Sequence, residues 1–285
     1  MLDSIGNAIS DAARGVADFA GRVFDTSDAR LSDTRDDVRG TGRDGLRPSL
    51  GDGPATPQES TITPSPGMPG YPTPPAAPTT GDGSGAHASE GASIADHINE
   101  AAFYRVADAA DGLGLNNAAR HMRHYLGNSG ETLSIDPNAI RNDIPAIRDE
   151  IDASFETNVR AAAEAHVRAN YTGEPMTFQV TTPWTSTYAT KELSQDWFFA
   201  VGGFSYAHTA TVTVTPGADG AAQVSIESDL HVFDRYNWDE GKGVDIGPLR
   251  IGDEQLGQLH QAGLAQEFEV RGSADGPSAS FTVTP

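Results

Sequence analysis

The sequence predicts an α+β fold, with N-terminal helices packed on a mainly antiparallel sheet. Between Ser93 and Asn170 apolar residues recur at spacings of three and four, and after Gly173 the period changes to two. Helices first and strands afterwards is the order of an α+β chain; a parallel α/β sheet would interleave them. A third observation marks where the domain begins. Ten of the 18 prolines fall between Pro48 and Pro78, and residues 54–92 are dominated by Pro, Gly, Ser, Thr and Ala. Such a stretch buries too little apolar surface to offset its ordering entropy. Residues 25–92 therefore read as a disordered linker and residues 93–285 as the packed domain.

Residues 1–24 form an amphipathic helix candidate. Leu2, Ile5, Ile9, Ala12, Val16, Phe19 and Val23 make one stripe, and Asp3, Asp11, Arg14, Asp18 and Arg22 face the other way. The stripe suits docking on the chain's own domain or a second copy, or loading into a groove of an export or injection apparatus. Its polar face is not cationic, which argues against insertion into a membrane. Residues 25–50 mix Asp with Arg and read as solvated.

In the domain, Ser93 is a candidate N-cap for a helix carrying Ile94, Ile98, Ala101, Ala102 and Val106 on one face and ending at Gly112 and Gly114. A second helix covers 116–126 and stops at Gly127. A third runs over 145–170, with Pro145 in its first turn. Strands follow at 177–182, 197–201, 206–215 and 223–236, the last two joined by the turn signal Pro216-Gly217-Ala218-Asp219-Gly220. A short helix at 254–262, capped by Asp253 and ended by Gly263, precedes strands at 267–271 and 279–284.

Composition excludes several functions. Forty acidic against 19 basic residues give a net charge of −21. That opposes nucleic-acid binding, which needs clustered cations, and adsorption to anionic membranes. It is compatible with a divalent cation such as Mg²⁺ held by carboxylates. The absence of cysteine excludes disulfides, zinc thiolates and thiol nucleophiles. No GxxxxGK[ST], HExxH or GxSxG motif is present. His121 and His124 stand at i, i+3 beside Arg120 and Arg123, and read as a surface helix face. No apolar run is long enough to span a membrane, and no general secretory signal is visible.

One chemically dense stretch remains, His231-Val232-Phe233-Asp234-Arg235-Tyr236-Asn237-Trp238-Asp239, at a strand's end. Asp234 and Tyr236 are two apart and share a strand face. The carboxylate suits a nucleophile, general base or metal ligand, with Asp239 as a second ligand, and the phenol suits a developing anion. His231 faces the other way, so His208 and His260 are the candidates for a general acid or base. The alternative is a structural corner in which Asp234 caps a turn and Tyr236 and Trp238 pack.

Two resemblances bear on these residues. The stretches His124-Tyr125-Leu126-Gly127-Asn128-Ser129-Gly130-Glu131, Asp196-Trp197-Phe198-Phe199-Ala200-Val201-Gly202-Gly203, His231 to Asp239, and Leu259-His260-Gln261-Ala262-Gly263-Leu264-Ala265-Gln266-Glu267-Phe268 resemble a C-terminal module of exported, polymorphic-toxin-like proteins of actinobacteria, over residues 93–285. The region around Asp234 also resembles colicin M-type bacteriocins, which cleave lipid II on an α+β domain that needs a divalent metal. Their D-x-Y-D motif is followed after five residues by His-Arg. Asp234 and Tyr236 match it; Asn237 replaces the second Asp, and Gly243-Val244 stands in place of His-Arg. The resemblances imply a delivered toxin-like effector, a hydrolase acting on a cell-envelope precursor such as lipid II, with a cognate immunity protein as partner. The chain would be cytoplasmic before delivery and then exported by a specialised system. The alternative is a non-enzymatic protein-binding or structural module of an exported or virion-like assembly.

Overall fold

The computed structural model describes residues 59–64, 73–238, 243–246 and 249–284. The expected 1–24 helix, the linker as far as residue 58, and Asp239 lie outside the described residues. The fold is α+β: an eight-stranded, mostly antiparallel sheet with helices packed on one face.

Strand β1 (Thr61–Pro64) comes first, then helix α1 (Ile94–Gly112). Ser93 caps α1 as expected: its hydroxyl accepts from the Asp96 N–H while the Asp96 carboxylate accepts from the Ser93 N–H. Helix α2 (Asn116–Leu126) begins against the Asp196 carboxylate, which accepts from the N–H groups of Asn117 and Ala118. Strand β2 (Leu133–Ser134) leads to α3 (Pro137–Asp143), capped by Asp136, and α4 (Pro145–Ser154), with Pro145 in its first turn. The helix expected over 145–170 is continuous but not uniform. A π-helical turn, Phe155–Arg160, separates α4 from α5 (Ala161–Asn170). Within it Thr157 turns its hydroxyl back onto the Ala153 carbonyl.

Strands β3 (Met176–Thr181) and β4 (Thr185–Tyr188) follow. Residues 195–200 are then helical, α6 (Gln195–Ala200), where period two predicts a strand at 197–201. The Ser194 hydroxyl accepts from the Trp197 N–H and starts the helix; a short apolar run does not distinguish the two states by itself. Strands β5 (Gly203–Pro216) and β6 (Ala222–Tyr236) form the long central hairpin, with positive φ at Asp219 and Gly220 in its turn. Strands β7 (Gly243–Ile246) and β8 (Leu249–Gly252) pair separately. Helix α7 (Asp253–Gln261) and strands β9 (Phe268–Asp275) and β10 (Ala279–Val283) complete the chain.

The sheet order is β1-β3-β5-β6-β9-β2, with β4 on β5 and β10 on β6; the β2–β9 pair is parallel. Even-numbered residues of β5 and β6 enter two apolar clusters shared with the helices. One joins Phe103, Tyr125, Ile147 and Ile151 to Tyr206, Val232, Tyr236 and Phe268. The other joins Phe155, Val159 and Val167 to Val180, Val212 and Val224. Odd positions lie on the opposite face, where Thr213, Thr215, Gln223, Ser225 and Glu227 are exposed.

The packed part extends N-terminal of Ser93 into residues of the expected linker. Thr61–Pro64 adds an antiparallel edge strand to β3, with Thr61 opposite Thr181 and Ile62 packed on the second cluster. Pro64 ends this edge strand, where its missing N–H costs nothing. Residues 82–90 lie along α7: the N–H groups of Ala88 and Glu90 donate to the carbonyls of His260 and Gln261. Composition marks these residues as unable to build a core, yet they bind to one that the rest of the chain has built. No helix among the described residues is long and apolar enough to cross a membrane.

Candidate functional site

Asp234 and Tyr236 share the helix-covered face of β6, as their spacing requires. Asp234 is not at a corner. It sits inside the β6–β9 ladder opposite Val270 and is 2% exposed. Burial holds its carboxyl well above the usual carboxylate range, against a smaller downward pull from the Arg235 amide. Among the described residues no cation pairs with it. The shift favours the protonated acid over the carboxylate, the form that the expected nucleophile, base or ligand of a divalent cation needs. Tyr236 stacks on Phe268 at 4.9 Å and lies 5.3 Å from the Trp238 ring and 5.8 Å from that of His121.

The expected histidine partners are elsewhere. His208 lies on the same sheet face, opposite Leu230, while Asp234 is level with Phe204. Four residues of strand separate them, about 13 Å. The His208 ring lies 6.0 Å from both Phe155 and Tyr206. Its nitrogens have no well-formed hydrogen bond among the described residues. Desolvation pulls its pKa down to about 4, only partly opposed by the Ile151 carbonyl. His121 is also wholly buried, which corrects its reading as part of a surface face. Its Nδ1 lies 2.7 Å from the Asn117 carbonyl, and desolvation again brings the pKa to about 4.

His260 belongs to a clamp. The Glu267 N–H donates to its Nδ1 at 3.2 Å, so the ring proton sits on Nε2 and is donated to the Gly85 carbonyl at 3.0 Å. The buried Glu267 carboxylate accepts from the N–H groups of Gly83, Ser84 and Trp238 and from the Ser84 hydroxyl. Arg235 leaves the opposite face of β6 to pair with Asp82. Ligand atoms of Asp82, His260 and Glu267 lie within 4.8 Å of one another, the spacing of a metal site. The donor set does not fit one: both imidazole nitrogens and both Glu267 oxygens are engaged in hydrogen bonds. The module-like residues thus meet in space largely as scaffold. Tyr125 donates to the Leu256 carbonyl, Asn128 to that of Gly263, and Trp197 to Asp143.

A polar row on the sheet face opposite the helices was not foreseen. His231 Nδ1 lies 2.7 Å from Ser273 Oγ on β9, and its Nε2 lies 2.9 Å from Thr209 Oγ1 on β5. Ser273 is exposed and His231 is 6% exposed. The predicted strand at 267–271 stops one pleat short of Ser273. The alternation Glu269, Arg271, Ser273, Asp275 would have extended it.

No family model and no curated protein matches the chain. Among solved structures there is a weak likeness to colicin M-like bacteriocins. The bacteriocin syringacin M from Pseudomonas syringae pv. tomato DC3000 is 16% identical over 58% of this chain and 51% of that one, with a TM-score of 0.27. Its truncated form gives 14%, 59%, 58% and 0.25. PaeM, a colicin M-like bacteriocin produced by Pseudomonas aeruginosa, gives 11%, 65%, 51% and 0.26. The matches span only part of those chains, about half in syringacin M and PaeM.

Proposed function

We propose that this chain is a delivered, toxin-like antibacterial effector whose folded domain acts as a hydrolase. One observation carries the reading: Asp234 is a buried carboxyl without an ion-pair partner among the described residues. A structural aspartate caps a turn or pairs with a cation, and this one does neither. Burying it costs stability that the Arg235 amide only partly offsets, and such groups concentrate at working sites. Its raised pKa suits a general acid that gives its proton to a departing oxygen, with the Tyr236 phenol orienting the substrate. The D-x-Y resemblance supports a cell-envelope precursor such as lipid II as substrate.

A second reading, a non-enzymatic binding module, is favoured by the clamp. There the module-like residues His260 and Glu267 bind the chain's own backbone, at Gly85, Gly83 and Trp238.

The test is expression in a bacterial cytoplasm and, separately, a periplasm, with Asp234→Asn as the comparison. The effector reading expects periplasmic toxicity that Asp234→Asn abolishes while its melting temperature at pH 7 holds or rises. Toxicity that survives the substitution removes Asp234 from the mechanism. A verified fold without toxicity in either compartment selects the binding module.

A further inference from the structure

We propose that the sheet face opposite the helices carries a reactive serine–histidine pair, with Ser273 as nucleophile, His231 as its general base and Thr209 as the residue that positions the ring. The proposal is independent of the Asp234 reading.

The sheet register creates the pair. The Ile135 N–H donates to the Arg271 carbonyl, so odd-numbered residues of β9 turn their backbone groups towards β2 and away from β6. His231 and Ser273, directly opposite each other, are therefore a non-hydrogen-bonded pair, the kind whose side chains approach most closely. The ring then reaches diagonally to Thr209, which stands opposite Asp229 in the β5–β6 ladder.

The hydrogen bonds define the protonation. A ring that accepts the Ser273 proton at Nδ1 carries its own proton on Nε2 and donates it to Thr209 Oγ1. Two features distinguish this from a polar row that merely satisfies itself. Ser273 is exposed and could bond to water, yet it lies 2.7 Å from the ring. His231 is desolvated at the margin of an open face, which lowers its pKa and leaves it neutral, as a base must be. The charged groups around the ring are Asp229 on its own strand and Asp275 and Arg271 on β9, with His208 across the sheet. Asp229 favours the imidazolium that forms when the proton moves.

The reaction this supports is acyl transfer from an ester. Ser273 Oγ bonds to the carbonyl carbon as its proton passes to His231 Nδ1. The carbon–oxygen bond to the alcohol then breaks, and the alcohol leaves with that proton. Water attacks the acyl-serine, giving one proton to Nδ1, which returns it to Ser273 Oγ; ester and water become acid and alcohol. The surroundings select the substrate. Asp229 and Asp275 face each other one pleat from Ser273 and disfavour anionic substrates. On the other side Phe233 lies beneath Arg271 and beside Trp184, offering an apolar surface. A neutral or cationic ester with an apolar acyl group fits this face.

The test uses the purified full chain and a neutral alkyl fluorophosphonate, which transfers its phosphonyl group to an activated serine with loss of fluoride. Peptide mapping should find the adduct on Ser273, and Ser273→Ala should abolish it. His231→Gln should slow labelling by about 100-fold. In wild type the rate should rise through the His231 titration, below the ordinary 6.5, and level off above it. Thr209→Val should move that midpoint without unfolding the protein. No adduct on Ser273 in the folded chain, labelling at other residues only, or a rate independent of pH would each overturn the proposal. Labelling is read on purified protein and toxicity in cells, so the failure of one reading is distinguishable from the failure of the other.

Discussion

Buried ionisable side chains here titrate in opposite senses. His121 and His208 have folded pKa values lowered from 6.5 to about 4 by desolvation. The unfolded chain protonates these rings first, so the stability they contribute is complete above pH 6.5 and lost as the pH falls towards 4. The loss is about 3 kcal/mol per ring. Asp234 has the opposite sign: its folded pKa is raised, so its contribution is present at acid pH and declines as the pH rises above 3.8. Urea unfolding between pH 4 and 7 should therefore show acid destabilisation dominated by the histidines. His208→Leu, which fills an apolar setting beside Phe155 with an apolar group, should raise stability and flatten part of that slope. An unchanged slope would show that His208 does not titrate between the two states. The sequence reveals that Asp234 and Tyr236 share a face and that His231 does not. It does not reveal which face the helices cover, because His231 and Phe233 are buried as well as Val232 and Asp234. Alternation fades where a strand is buried on both sides.

At the scale of elements, the segment at residues 82–90 shows where composition stops being a guide. Gly83, Ser84 and Gly85 look like linker, and they bind because the Glu267 carboxylate accepts from the N–H groups of Gly83 and Ser84 and His260 donates to the Gly85 carbonyl. Their small size also matters. A Cβ on Gly257 of α7 would lie 2.8 Å from the Ser84 hydroxyl, so helix and strap meet through the absence of a side chain. Glu267→Ala leaves three N–H donors without their acceptor and should cost about 3 kcal/mol. The substitution should also admit proteolysis within residues 82–92. A fragment beginning at residue 73 should melt well above one beginning at Ser93, and equal melting temperatures would show that the strap contributes nothing. Gly272 gives a second check. A Cβ there would stand 2.3 Å from the Ile135 carbonyl oxygen, so Gly272→Ala should separate β9 from β2 and lower the melting temperature. Long helices and the central hairpin are legible because each carries several turns of one period. Helix α6 and strand β1 are not, since a single cap or a single partner strand decides them.

For the whole molecule, the proposed delivery and action would be separable, because the described core is built from one part of the chain. Both apolar clusters draw their described buried residues from positions between Phe103 and Val283. Ile5, Ile9 and Val16 lie outside the described residues. With a net charge of −21 the chain has little electrostatic attraction to anionic lipid or nucleic acid. The apolar stripe that the sequence predicts in residues 1–24 would supply the specificity of the proposed loading by engaging a protein groove. Replacing Ile5, Ile9 and Val16 together with Asp puts three charges on that face and removes its apolar surface, about 2 kcal/mol of burial for each side chain that a groove would cover. Export or loading should fall to background. If the stripe serves loading alone, the melting temperature of the purified protein and the fluorophosphonate labelling of Ser273 should not change. Normal export by the triple variant would mean that delivery reads a different segment. Reduced melting would mean instead that the stripe docks on the chain's own domain, and the N-terminus would then belong to the fold.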